Sequence, residues 1–296
     1  MDIKNERVIY ILMIITSIFG AGAFIAGKFS VSEFPTFTLT FLRFIIASVI
    51  IFIIMILSEK NWKPKLKDLP LFGLLGITGM FGYHILFFTA LRYTSAINSS
   101  LIASTNPLIT TILSAIFLGD KLNIKKIGAI LLSLIGVLLA ITSGDIASIA
   151  RVGFNVGDLL MIGAVFCWVI YSILSKKASV KYSPIVLLSY SFLSCTLFLI
   201  PFVILEKPLS IMKNTTAYGW LSIMYMAVFP SVIGYLIQQI SVKQIGPRRT
   251  AAFLNLMPAF SIVLSIMLLG EAVSILKIFS SILIISGVYI TTKLKS

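Results

Sequence analysis

The chain has 296 residues, 58% of them hydrophobic and only 11% charged. A water-soluble domain of this size carries roughly 25% charged residues, so the composition excludes a surface that faces mostly water. The formal charge of +14 is spread in short clusters between apolar runs, with no basic module long enough to grip nucleic acid.

Taken in chain order, apolar runs of about 20 residues, each able to cross roughly 30 Å of hydrocarbon as a helix, predict ten spans. They cover 8–27, 35–57, 69–90, 95–118, 124–142, 156–175, 183–205, 217–240, 248–269 and 274–292. Ala21-Gly22-Ala23 resembles a signal-peptide cleavage site, but the first run has a counterpart deeper in the chain and is read as a retained helix. In the second span Arg43 is the one clear intramembrane charge. A cation there is costly and must face protein or water, either as a structural tie or as a contact for substrate.

The third span carries Gly73, Gly76, Gly79 and Gly82, a slanting strip of bare backbone suited to close helix packing or, alternatively, to a substrate passage. Tyr83 and His84 follow it. His84 is the single histidine, readable as a neutral hydrogen-bonded residue or as a proton carrier. In the fourth span Pro107 interrupts the helical bonding, freeing the carbonyl of Ala103. Beside it Ser99, Asn106 and Thr110 share an arc of roughly 40°. Trp168, Tyr171 and Ser172 in the sixth span offer an aromatic wall. The eighth holds Gly234-Tyr235 followed by Gln238 and Gln239. In the ninth, Asn255 stands just before a second interrupting proline, Pro258, which frees the carbonyl of Leu254. Freed groups in hydrocarbon need a partner or a polar cavity, so the two prolines point to one cavity, with kinks that only shape packing as the alternative.

Cys167 and Cys195 lie in separate apolar runs and read as buried thiols rather than a disulfide or metal pair. All ten acidic residues fall in loops or at helix ends. No paired aspartates, Ser/His pair or H-E-x-x-H motif stands at membrane depth. An enzyme is therefore not expected, nor a metal, a catalytic residue or a cofactor.

With the N-terminus in the cytoplasm, cytoplasmic segments hold 17 Lys and Arg residues and the opposite side 6, the asymmetry that the positive-inside rule requires. Both chain ends are thus expected inside a multi-pass protein of the plasma (inner) membrane. A shift of 151 residues superimposes 105–137 on 256–288 without gaps: Pro107 meets Pro258, Leu113-Ser114 meets Leu264-Ser265, Gly119-Asp120 meets Gly270-Glu271, and Gly136-Val137 meets Gly287-Val288. A shift of 149 places Lys28 on Lys177 and Ser30-Val31 on Ser179-Val180. Two repeats are expected, 8–142 and 156–292. Because five is odd, the second must enter the membrane from the other side, and in each matched pair of loops the cytoplasmic one holds more basic residues, as inversion requires. The fold expected is an all-α membrane protein of ten transmembrane helices, two inverted five-helix repeats around a central cavity.

Phe41-Leu42-Arg43-Phe44 with Ala47, Pro107-Leu108, Leu118-Gly119-Asp120, Gly128 and Gly136, and the second copy's Pro258, Leu269-Gly270-Glu271 and Gly287 resemble the EamA family of the drug/metabolite transporter superfamily over nearly the whole chain. Phe279 stands where the first copy has Gly128. The resemblance implies a ten-helix basket that moves small metabolites, often outward. Hydroxyls, amides and aromatic walls suit amino acids or related neutral or zwitterionic compounds. Alternating access between inverted halves is the mechanism expected of such a carrier, with a channel or an intramembrane enzyme as the competing classes. The substrate-binding candidates are Asn106, Asn255, Tyr83, His84, Ser99, Thr110, Trp168, Tyr235 and Gln238; the structural or gating candidates are Pro107, Pro258 and Arg43. The expected partners are a small-molecule substrate and the lipid bilayer, and the glycine-bearing fifth and tenth helices could support a homodimer.

Overall fold

The computed structural model describes residues 6–118, 124–142, 155–207, 212, 215–254 and 256–293. Among them every regular element is helical. The helices are α1 (Glu6–Glu33), α2 (Thr36–Ser58), α3 (Leu69–Leu75), α4 (Tyr83–Tyr93), α5 (Ala96–Ala103), α6 (Asn106–Leu118), α7 (Ile124–Thr142), α8 (Val156–Ala178), α9 (Pro184–Leu205), α10 (Ala217–Met226), α11 (Tyr235–Leu254), α12 (Met257–Leu269) and α13 (Ile275–Lys293). Six uninterrupted helical stretches, including 66–93 and 217–247, are long and apolar enough to cross a membrane. The outside of the bundle is apolar, with Val49, Ile53, Leu131, Leu197 and Met267 all more than half exposed. In water so large an apolar exterior is untenable; in a bilayer it is the required surface, and the chain is an integral membrane protein.

The departures from ten uniform spans each have a local cause. The predicted fourth span is two helices, α5 and α6, separated at Ser104-Thr105. Pro107 is the second residue of α6, where its missing N–H costs nothing because early helical N–H groups have no internal partner. The hydroxyls of Ser104 and Thr105 turn back onto the carbonyls of Leu101 and Ile102 at 2.5 and 2.7 Å. Pro258 repeats this as the second residue of α12. There the carbonyl of Phe253 accepts the Ser17 hydroxyl of α1 at 2.8 Å. The predicted gap between spans eight and nine shrinks to a kink inside α11 at Gly246, φ +84°, a backbone angle that glycine adopts without a Cβ penalty.

The third and eighth of the ten predicted spans, called helices three and eight by that order, each contain a wider π-helical stretch, Gly76–Gly82 between α3 and α4 and Ala227–Gly234 between α10 and α11. Their first residues differ by the repeat distance of 151. In the second stretch Pro230 cannot donate to the ladder, which favours the wider bonding. In the first, glycines make room: a Cβ on Gly79 would stand 2.4 Å from the Tyr171 ring. The glycine strip is therefore a packing surface against α8 and α9.

Pairwise packing builds the bundle. α2 lies along α9, α4 along α8, α7 along α13, and α1 against α10, α11 and α12. At one end of the bundle, carboxylates cap helix N-termini distant in sequence. Glu206 accepts from the backbone N–H groups of Phe37 and Thr38 at 3.2 and 2.7 Å, where Pro35 at the N-cap has no side chain to do so. Glu33 accepts from the Thr216 N–H at 2.8 Å, and Glu271 from those of Ala96 and Ile97 at 2.9 and 3.2 Å. Each such bond satisfies orphan donors at the positive end of a helix dipole. At this same end Lys28 donates to the last carbonyls of α4, Leu91 and Thr94, at 2.7 and 2.9 Å. The opposite end is held by Lys181 and Tyr182 on Asp68.

Candidate functional site

The π stretches, the break before Pro107 and the face of α1 converge on a central hollow of about 50 Å³, room for about one or two waters in this conformation. Arg43, Tyr83, Asn106, Trp168, Tyr235 and Gln238 all line it. Six of the side chains singled out by sequence are thus brought together from α2, α4, α6, α8 and α11. Trp168 is the middle of an aromatic wall, its ring 4.8 Å from that of Tyr83 and 5.0 Å from that of Tyr235.

Arg43 is 1% exposed. Its Nε donates to the Ser231 hydroxyl at 2.8 Å and its Nη2 to the Tyr235 hydroxyl at 3.3 Å. The guanidinium carbon stands 5.5, 5.8 and 5.8 Å from the rings of Phe44, Phe88 and Tyr235. Each such cation–π contact is worth about 0.5–2 kcal/mol. A buried cation carries a desolvation penalty of several kcal/mol even after relaxation, and these contacts offset it in part. Serine 231 in turn donates to the carbonyl of Met226, five residues back, at 2.8 Å, so Arg43 is anchored on the π stretch of helix eight.

The chain of bonds continues through Tyr235. His84 Nε2 lies 2.9 Å from the Tyr235 hydroxyl and Nδ1 2.8 Å from the carbonyl of Met80. That carbonyl can only accept, so in the neutral ring Nδ1 carries the proton and Nε2 accepts from the tyrosine. Tyr235 is then free to accept from Arg43. One directional path links Arg43, Tyr235, His84 and Met80, tying the π stretch of helix three to that of helix eight.

The remaining candidates sit around the hollow rather than in its lining. His84 is fully buried behind Tyr235. Thr110 donates to Asn106 Oδ1 at 3.3 Å and so steers that amide. Ser99 is buried with its hydroxyl unpartnered among the described residues. Pro258 is buried at the start of α12, and its neighbour Met257 reaches the hollow. Pro107 is described only as a position in the backbone of α6, and Asn255 lies outside the described residues. Gly20, Phe24, Phe87, Val165 and Met257 are among the other residues of the wall. Sequence reasoning missed them because an apolar residue on a helix buried on several sides gives no sign of which neighbour it faces.

The lining of the hollow is mostly apolar; its polar side chains are those of Arg43, Tyr83, Asn106, Tyr235 and Gln238, with no carboxylate among the described residues. Among the described residues no group of three or more His, Cys, Asp or Glu is placed to hold a metal ion.

Comparison with known proteins identifies the family. The model of the EamA-like transporter family matches twice, over residues 7–142 and 155–293. The uncharacterized transporter YyaM of Bacillus subtilis (strain 168) is 33% identical over 282 residues, 95% of this chain and 92% of that protein. A protein of Streptantibioticus cattleyicolor named as a probable terminal-alkyne amino-acid exporter is 24% identical over 231 residues, 78% of this chain and 75% of that one. A solved crystal structure, 22% identical, superposes with a TM-score of 0.69 over 95% of this chain and 96% of that one, a likeness of fold.

Proposed function

This chain belongs to the EamA-like transporter family, and from that premise we propose that it is a carrier that moves a small metabolite through the central hollow by alternating access. The cargo class is an amino acid or a related neutral or zwitterionic compound, moved outward across the plasma membrane. The helical segments act as two five-helix halves, 8–142 and 156–292, inverted relative to one another, with both chain ends in the cytoplasm.

The observation that carries this reading is the exchange symmetry of the packing. Helix one rests against helices eight and nine (α1 on α10 and α12), while helix six rests against helices three and four (α8 on α4, α5 and α6). Adding five to each helix number turns one set of contacts into the other. The self-paired contacts, α2 with α9 and α7 with α13, obey the same rule. Two similar halves arranged in this way can exchange conformations, which opens the site to one side and then the other. Export is supported by the name of the Streptantibioticus relative, and the inside position of the chain ends by the 17-to-6 distribution of basic residues.

The test is counterflow in proteoliposomes preloaded with each of the twenty amino acids in turn. The expected result is saturable uptake of label stimulated by the same solute on the far side, reduced at least about tenfold in Asn106→Leu, which removes a polar group from the hollow. Flux linear in concentration, without stimulation from the opposite side, would identify a channel and overturn the carrier reading.

A further inference from the structure

Arg43 has more hydrogen-bonding capacity than the protein uses. A guanidinium offers five N–H donors. One on Nε goes to Ser231 and one on Nη2 to Tyr235, leaving three without a partner among the described residues. The side chain is 1% exposed and borders the hollow, so those donors point at neither bulk water nor a backbone carbonyl. The ion pairs among the described residues are Lys181 with Asp68 and Arg249 with Glu6, both at the end of the bundle opposite the Glu33, Glu206 and Glu271 caps. Among the described residues no carboxylate therefore pairs with Arg43. The three aromatic rings at 5.5–5.8 Å and the two hydroxyls hold the planar group in place without removing its charge.

A fixed, desolvated guanidinium with a free pair of donors matches a carboxylate in geometry and in charge. We propose that Arg43 is the counter-ion for a carboxylate on the transported solute. The inference rests on the carrier reading and changes its cargo class in two ways, admitting anionic solutes beside the zwitterionic ones. The solute must bear a carboxylate, and the hollow, with no acidic side chain in its lining among the described residues, offers an ammonium group only neutral acceptors, amide and phenol oxygens, and ring faces. A solute of net charge −1 neutralises the site, whereas a zwitterion leaves one positive charge in it. N-blocked amino acids and simple organic acids should accordingly bind at least as well as the parent amino acids, and carboxamides poorly. The two bonds to helix eight make Arg43 a tie between the halves as well, and filling the remaining donors with substrate couples occupancy to that tie.

The experiment uses the detergent-purified full chain and three matched sets of probes: alanine, leucine and phenylalanine, each as the free amino acid, the carboxamide and the N-acetyl acid. Affinity is read by ligand-dependent thermal shift, since a ligand that binds only the native state raises its apparent stability. In at least one set the N-acetyl acid should bind ~10–100-fold tighter than the carboxamide, with the parent acid between them or equal to the former. Arg43→Gln should erase that discrimination, while Arg43→Lys, which keeps the charge but loses the planar fork, should retain part of it. Because the comparison of acid with carboxamide is made on the unaltered protein, it stands even where Arg43→Gln fails to fold. Equal binding of acid and carboxamide overturns the proposal, as does an absence of binding by every acid. In either case saturable counterflow would still stand as separate evidence for a carrier.

Discussion

The proposed halves meet in two places that contrast sharply, the seam between α7 and α13 and the central hollow. At the seam the contacts read the same from either side. A Cβ on Gly136 would stand 2.8 Å from Ile284 Cγ1, and a Cβ on Gly287 would stand 2.3 Å from Ser133 Oγ. A shift of 151 converts the first pair into the second. The one side-chain hydrogen bond described there, Ser133 to the carbonyl of Ile284 at 3.2 Å, joins residues 151 apart. Around the hollow the second π stretch is one residue longer than the first, so Gly82-Tyr83 meets Gly234-Tyr235 and each half gives the hollow a tyrosine, whereas His84, which bonds to Tyr235, meets Leu236. The shift of 149 that aligns the first helices carries Arg43 to position 192, a phenylalanine. The repeat is kept where backbones must approach closely, and it is broken where a charge and an imidazole are needed in single copy. Packing can be duplicated; a binding site on the axis between two halves has room for one set of polar groups.

The largest effect expected from this contrast is at the seam. Gly136→Leu and Gly287→Leu each drive a side chain into neighbouring backbone, and overpacking of this kind costs about 1–3 kcal/mol or more. Equivalence of the two sides requires that both lower the midpoint of thermal unfolding by similar amounts. A loss in one variant and none in the other would break the comparison. Next in size is Tyr235→Phe, which leaves His84 Nε2 and an Arg43 donor unpaired at a cost of about 1–3 kcal/mol. Its signature should differ from that of the seam variants, with weakened solute binding in counterflow at protein levels that stay measurable. Unchanged binding would show that the polar path is not connected to the site. The smallest effect belongs to Gly128→Ala, on the same helix as Gly136 but with nothing within 4 Å of the added Cβ. It should stabilise by about 0.4–1 kcal/mol, sharpening the claim that close approach, and not glycine content, defines the seam.

Much of this arrangement could be read in the sequence, for reasons that differ residue by residue. Arg43 stood out because a charge in an apolar run is costly in any bilayer, but its partners, Ser231 and Tyr235, lie 188 and 192 residues away, and no local pattern encodes such a distance. The helix breaks at 104–105 and before 257 followed from proline chemistry. That they would be sealed by Ser17, Ser104 and Thr105 did not, since hydroxyls are common throughout these spans. The π stretches were hidden. Gly76, Gly79 and Gly82 signalled close packing correctly, yet the wider winding depends on Tyr171 occupying the space they leave. The role of Glu271 was obscured by Gly270, whose left-handed conformation, φ +63°, explains the helix stop and distracts from the cap that the carboxylate places on α5. His84 was visible as a lone titratable group, and the structure gives both of its nitrogens partners.

The central claim, two inverted halves around one hollow, is tested most directly by the sidedness of four single cysteines in a background lacking Cys167 and Cys195. Ser32→Cys and Tyr218→Cys are at exposed positions beside the carboxylate caps, and Lys65→Cys and Gln244→Cys at exposed positions at the opposite end. Inversion requires that a membrane-impermeant maleimide label the first two from outside intact cells and the last two only in inside-out vesicles. Labelling of Lys65→Cys and Gln244→Cys from opposite sides of the membrane would contradict it.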